Sequence, residues 1–161
     1  MANFTGANVC DVVEIETYQP DVFSFGIASN DSKVSYYITQ TTNDIFRQLR
    51  IEWFPTYKSN IYTDITVLNT AEMVNTKVNL DQFTRAGVYL FLSRYFLPSL
   101  SKFRPETEKD RFERMAEHYA SEYNKEWRAI LEDGVEYDSD AGGTISTSER
   151  EPLHGYRRLN R

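Results

Sequence analysis

Residues 104–133 read RPETEKDRFERMAEHYASEYNKEWRAILED, and this stretch decides the fold class. Phe112, Met115, Tyr119, Tyr123, Trp127 and Ile130 recur every three or four residues, while Glu113, Arg114, Glu117, Glu122, Lys125 and Arg128 fall on the other faces. An α-helix turns once in about 3.6 residues, so this spacing gathers the apolar side chains into one stripe and predicts a helix over 104–133. Gly134 follows, where a left-handed residue commonly ends a helix.

Upstream, Leu80 to Leu97 predicts a second helix, with Asn79 as its cap and Asp81 near the positive end of the helix dipole. Its middle, Ala86-Gly87-Val88-Tyr89-Leu90-Phe91-Leu92, is apolar on nearly every side. Such a helix is central in its own fold or covered by a neighbouring subunit. Pro98 stops it. A third helix is expected over 34–53, where Tyr37, Ile38, Ile45, Leu49 and Trp53 share a stripe after the capping side chains of Asn30, Asp31 and Ser32, and before Pro55. Two long helices joined by the short 99–105 connection read as an antiparallel bundle core, in a mainly α chain.

Three other stretches depart from this pattern. Over residues 1–30, Val13, Ile15 and Thr17 alternate with Glu14 and Glu16, Gln19-Pro20-Asp21 turns, and Phe23, Phe25 and Ile27 alternate with Ser24 and Gly26, which predicts a small N-terminal β-hairpin. Thr56 to Asn79 is rich in Thr and Asn and reads as a long connection carrying a short strand or a turn of helix. From Glu136 to Arg161 there is no periodicity, so the segment is expected to be disordered or an extended C-terminal arm that orders on a partner. The expected organisation is therefore an N-terminal segment over 1–30, a helical body over 31–135 and an arm over 136–161.

Composition excludes several classes. The 161 residues carry 18 Lys and Arg against 24 Asp and Glu, a formal net charge of -6, which argues against a general nucleic-acid binder with a basic face. A mean hydropathy of -0.56 and the lack of a long apolar run predict no membrane span. The start lacks the basic and apolar regions of a secretory leader, so the chain is expected to stay where it is made. Cys10 is the single cysteine, which excludes an internal disulfide and a cysteine-rich zinc site, and His118 and His154 are the two imidazoles. The 11 Tyr, 10 Phe and 2 Trp are many aromatics for so short and polar a chain.

Two constellations stand out. Asp138-Ser-Asp140-Ala-Gly142-Gly143-Thr144-Ile145-Ser146-Thr-Ser-Glu149 matches a calcium loop at the carboxylates of its first, third and last positions, at the glycine of its sixth and at Ile145. Position five, however, is Gly142 and offers no side-chain ligand, while Pro152 and Gly155 interrupt the helix that should follow. A polar Asp/Gly/Ser turn is the favoured reading; a calcium-binding interaction module is the alternative. The second constellation is Tyr156-Arg157-Arg158-Leu159-Asn160-Arg161, where Tyr156, Arg157, Arg158, Leu159 and Arg161 combine basic charge with an aromatic and an aliphatic anchor, as protein interfaces do. Glu113, Glu117, Glu122 and Glu126 read as a solvated helix face, because Met115 stands where a Glu-x-x-His di-metal pattern needs a glutamate. His118 is expected at the surface. No phosphate-binding glycine loop, nucleophile elbow or Cys/His pair occurs, so no catalytic residue and no cofactor is expected.

The run from Asp81 to Leu100 (DQFTRAGVYLFLSRYFLPSL), then Asp110-Arg-Phe112, Tyr119-x3-Tyr123-x2-Glu126 and Leu131-Glu-Asp-Gly-Val-Glu-Tyr-Asp-Ser-Asp140, resembles the head-to-tail adaptor, or connector, proteins of tailed bacteriophages. It covers somewhat under half of the chain, in patterns of aromatics and turns. The resemblance implies a virion structural protein, not an enzyme. Such adaptors are small helical proteins that form a ring, usually twelvefold, beneath the portal and join the head to the tail or tail nozzle. Their C-terminal segments dock on the portal. Carried onto this chain, residues 34–134 correspond to the ring body and 136–161 to the portal-seeking arm. The expected location is the virion neck, with the host cytoplasm during assembly. A net acidic ring suits a DNA conduit, because a wall that repels phosphate lets the polymer slide through without specific binding.

Overall fold

A computed structural model of the chain describes residues 8–101 and 110–151. The protein is mainly helical: α1 (Val12–Tyr18), α2 (Ser32–Glu52), α3 (Phe54–Ile61), α4 (Ile65–Thr70), α5 (Thr84–Leu90), α6 (Leu97–Leu100) and α7 (Arg111–Asp133). Two-residue strands β1 (Val135–Glu136) and β2 (Arg150–Glu151) complete the regular elements. No helix of the described residues is long and apolar enough to cross a membrane. The fold divides into two units, Asn8–Ile45 with Phe83–Trp127, and Phe46–Gln82 with the chain from Arg128.

In the first unit, α5 leads into a π-helical turn, Phe91–Phe96, and then into α6. Ala86, Val88, Phe91, Leu92, Phe96 and Leu97 are all buried, so the helix that is apolar on every side is central within its own chain. α1 packs on α5, with Ile15 fully buried and Tyr18 edge-on to Tyr89. Val9 seals the same place, and its backbone N–H donates to Thr42 Oγ1 at 3.0 Å. On α7, Trp127 packs against Phe83 and Tyr123, and the Tyr119 hydroxyl donates to Gln19.

The expected N-terminal β-hairpin is not formed. Residues 12–18 are helix and residues 22–25 a 3-10 turn. The reason lies in Asp11 and Glu14: the Asp11 carboxylate accepts from Glu14 N–H, while the Glu14 carboxylate accepts from Asp11 N–H, both at 2.8 Å. This reciprocal cap satisfies two amide donors that start a helix and outweighs the period-two alternation of Val13, Ile15 and Thr17. Phe23 and Phe25, expected in the hairpin's second strand, pack within the unit against Phe96 and Phe112 respectively, with the Arg111 guanidinium over the Phe25 ring.

The second unit is built around Trp53. This residue follows α2, and Pro55 stands in the first turn of α3, where its missing N–H costs nothing. Trp53, Phe54, Tyr57 and Tyr137 form a buried aromatic box, with ring centroids 4.7 Å apart for Trp53 and Tyr57 and 5.1 Å for Tyr57 and Tyr137. Each large ring contributes its buried area and an offset or edge contact. The 56–79 connection holds most of α3, all of α4 and a 3-10 turn at Asn75–Lys77.

Candidate functional site

The segment from Val135 to Glu151, expected to belong largely to an extended arm, is packed into the second unit. Its central strip, Val135–Asp138, is flanked on both sides. On one side β1 pairs antiparallel with β2, Val135 opposite Glu151 and Glu136 opposite Arg150. On the other, Tyr137 bridges Val78, Asn79 N–H donates to Glu136 O at 3.0 Å, and Asp138 N–H donates to Lys77 O at 2.8 Å. Gln82 adds a side-chain rung, donating to Gly134 O at 2.7 Å and accepting from Glu136 N–H at 3.0 Å. Gly134 sits at φ 107, a conformation that costs a residue without a β-carbon least. Hydrogen bonding of this kind explains how a sequence with no periodicity is held: its backbone groups are satisfied by residues some sixty positions earlier.

Between the two strands lies the loop singled out by its carboxylates. One ligand atom each from Asp138, Asp140 and Glu149 lies within 4.8 Å of the others, the one such acidic cluster among the described residues. The loop turns through two left-handed residues, Ala141 at φ 60 and Gly143 at φ 74. Asp138 accepts from the backbone N–H groups of Gly142 and Gly143, both at 2.9 Å. Asp140 accepts from Gly142 N–H at 2.8 Å. Glu149 is buried and accepts most: from Ser139 N–H (2.7 Å) and Oγ–H (3.0 Å) on one oxygen, and from Ser146 N–H (2.9 Å) and Oγ–H (2.8 Å) on the other. The Ser146 amide leads the donors that hold the Glu149 carboxyl at about 2, well below its usual range.

A cation here would take Asp138, Asp140 and Glu149 as ligands. Calcium asks for six to eight oxygens, and three carboxylates supply part of that set. The oxygens of these carboxylates already receive amide and hydroxyl hydrogens, and Gly142, at the fifth position, donates rather than coordinates. The arrangement therefore performs as a turn closed by Glu149. Charge-assisted hydrogen bonds to Glu149 close this turn.

The basic and aromatic residues expected to dock on a partner, Tyr156, Arg157, Arg158, Leu159 and Arg161, lie outside the described residues. Glu151, in β2, is the last described position, so the chain leaves this clasp from a hydrogen-bonded strand.

Other reactive groups are occupied structurally. Cys10 is buried, and burial, reinforced by Glu14 and Asp11, pushes its thiol up to about 12, so it packs as a small apolar side chain. Tyr95 donates to Asp44, which also pairs with Arg94 at 3.3 Å; burial followed by the Asp44 contact raises the Tyr95 hydroxyl to about 12. His118 is exposed, as expected, with its ring against Tyr119.

A feature that periodicity did not isolate is α4. None of its residues is buried, yet Ile65 is 68% and Val67 41% exposed. With Ile51, Ile61 and Val74, it gives the second unit a set of uncovered apolar side chains; Val13, Tyr18 and Tyr36 do the same in the first. No family model matches the chain, and neither a curated protein nor a solved structure matches it.

Proposed function

We propose that this protein is a head-to-tail adaptor of a tailed bacteriophage: a virion structural subunit that assembles as a ring under the portal, joins capsid to tail, and lines the DNA conduit. The reading comes from the resemblance carried by residues 81–140. The observation that supports it best is the uncovered apolar set, above all the wholly unburied α4. Scattered exposed apolar residues are ordinary, but a short helix with no buried residue has little packing of its own to hold it. A ring explains such surfaces, because its head-to-tail contacts use two different patches on every copy.

On this reading the helices of 31–135 are the antiparallel ring body and carry the negative charge of a conduit wall past which DNA slides. The residues beyond Glu151 are the portal-docking arm, with Tyr156, Arg157, Arg158, Leu159 and Arg161 as its contacts. The clasp at Glu149 supplies a fixed point of departure for that arm. Partners are further copies of this chain, the portal, and a tail nozzle or other neck protein. The carboxylate loop acts within the fold as a turn, and a calcium-responsive module is the second reading, favoured by the convergence of Asp138, Asp140 and Glu149.

Electron microscopy of purified particles, with mass spectrometry of their proteins, tests the proposal. A ring of this chain between portal and tail is the expected result; particles lacking the chain would end it. Deleting residues 152–161 is expected to abolish attachment to portal complexes while leaving the helical circular dichroism nearly unchanged.

A further inference from the structure

The second unit carries an open groove of about 650 Å³ lined by Arg50 and Phe54 and by a run of chain that includes Glu72, Met73, Val74 and Asn75. The run behaves as a strand edge. Ala71 and Val74 have extended backbone, and exposure alternates between them: Glu72 and Val74 are exposed, whereas Met73 is buried. Val74 turns its N–H inward, donating to the Tyr137 hydroxyl at 3.2 Å. Backbone groups of neighbouring residues in an extended chain face opposite ways, so the N–H and C=O of Met73 face away from Tyr137. Among the described residues they have no hydrogen-bond partner. An open backbone pair of this kind is what another strand adds to.

The charges of the groove identify what adds to it. Arg50 donates to Asn75 Oδ1 at 2.9 Å and keeps further guanidinium N–H groups to give, while neither Arg50 nor Glu72 has an ion-pair partner among the described residues. One groove therefore holds a cation at Asn75 and an anion at Glu72, each unmatched. We infer that the occupant is the same run of a second copy of this chain, laid antiparallel about a two-fold axis at Met73. In that register each Met73 gives its N–H to the other copy's C=O and receives one in return, the exchange made by a directly opposed antiparallel pair. Each Glu72 comes opposite the second copy's Val74, next to the Asn75 that holds Arg50. The unmatched charges are then paired twice over, and the exposed Val74 side chains are covered. A patch that complements itself under a two-fold rotation closes as a pair, whereas a ring joins two different patches, so this pairing does not rest on the adaptor reading. Two backbone bonds alone make a modest contact; the charge-assisted bonds of Arg50 to Glu72 add strength and fix the register.

Sedimentation equilibrium of the full chain tests it. The natural chain is expected to pass from monomer to dimer as its concentration rises. Glu72→Arg and Arg50→Glu, both at exposed positions, should each weaken that dimer about tenfold or more. Mixed in equal amounts, the two variants should recover a dimer, because every arginine then meets a glutamate across the axis. Hydrogen exchange at the Met73 amide should slow about tenfold or more on dimerisation. A chain that is monomeric up to about 1 mM, or that associates directly into a larger ring, overturns the inference. So does a dimer indifferent to both reversals, a pair of variants that stay apart when mixed, or a Met73 amide that exchanges alike in monomer and dimer. Electron microscopy of particles reads the adaptor proposal separately.

Discussion

Val9 rests directly on Gly87: a β-carbon at position 87 would stand 2.6 Å from Val9 Cγ1 and 3.1 Å from Cγ2. Val9 is buried and anchored through its N–H to Thr42, so the contact is held from both sides. The glycine in the middle of the apolar helix is therefore a seat for the segment that enters α1.

Gly87→Ala is expected to destabilise the protein although alanine is the better helix former. Overpacking costs about 1–3 kcal/mol, against a gain of about 1 kcal/mol in helix propensity. Val9→Ala in the same chain should recover part of the loss. Denaturant unfolding of the two single variants and the double variant checks this, and strictly additive losses would contradict the contact.

Glu149→Gln is expected to cost about 1–3 kcal/mol, because the amide replaces a carboxylate at the centre of the clasp and turns an acceptor toward donors into a donor. The pH dependence has a definite sign. The Glu149 carboxyl drops from its usual 4.5 to about 2 in the folded protein, so it contributes stability above about pH 4.5 that is lost as the pH falls toward 2. Thermal unfolding across that window should show a steeper decline for the natural chain than for the variant.

The alkaline limb has the opposite origin. Burial pushes the Tyr57 hydroxyl from its usual 10 up to about 12, with Tyr62 and Tyr137 adding to the shift. The unfolded chain thus releases the proton first, and stability falls as the pH rises from 10 to 12. Tyr57→Phe should make that fall shallower.

Chelation gives a further check on the loop. Because the Asp138, Asp140 and Glu149 oxygens accept protein hydrogens, the melting temperature is expected to be the same in EDTA as in millimolar calcium. A clear rise with calcium would move the loop to the second reading and assign those three carboxylates as its ligands.

Much of the helical content could be read directly. The stripe from Phe112 to Ile130 is observed in α7, and the one from Tyr37 to Leu49 in α2, because a long run at helical spacing has few other ways to bury its apolar side. The short N-terminal run was ambiguous: seven residues satisfy either period, and the Asp11/Glu14 pair, visible as D-x-x-E, was the signal that resolves it. The spacing of Asp138, Asp140 and Glu149 also announced their convergence.

What local pattern could not supply is where the polar segment after Gly134 goes. Its partners, Lys77, Val78, Asn79 and Gln82, lie more than fifty positions earlier, and backbone hydrogen bonds of that kind carry almost no side-chain signature. Residue order was enough to set α2 and α7, because their bonds close within four residues and their apolar stripes are long. The clasp, the aromatic box around Trp53 and the seat of Val9 on Gly87 depend on groups that meet only when distant segments are packed together, and there the energy of burial and hydrogen-bond satisfaction chooses among arrangements that local preference leaves equal.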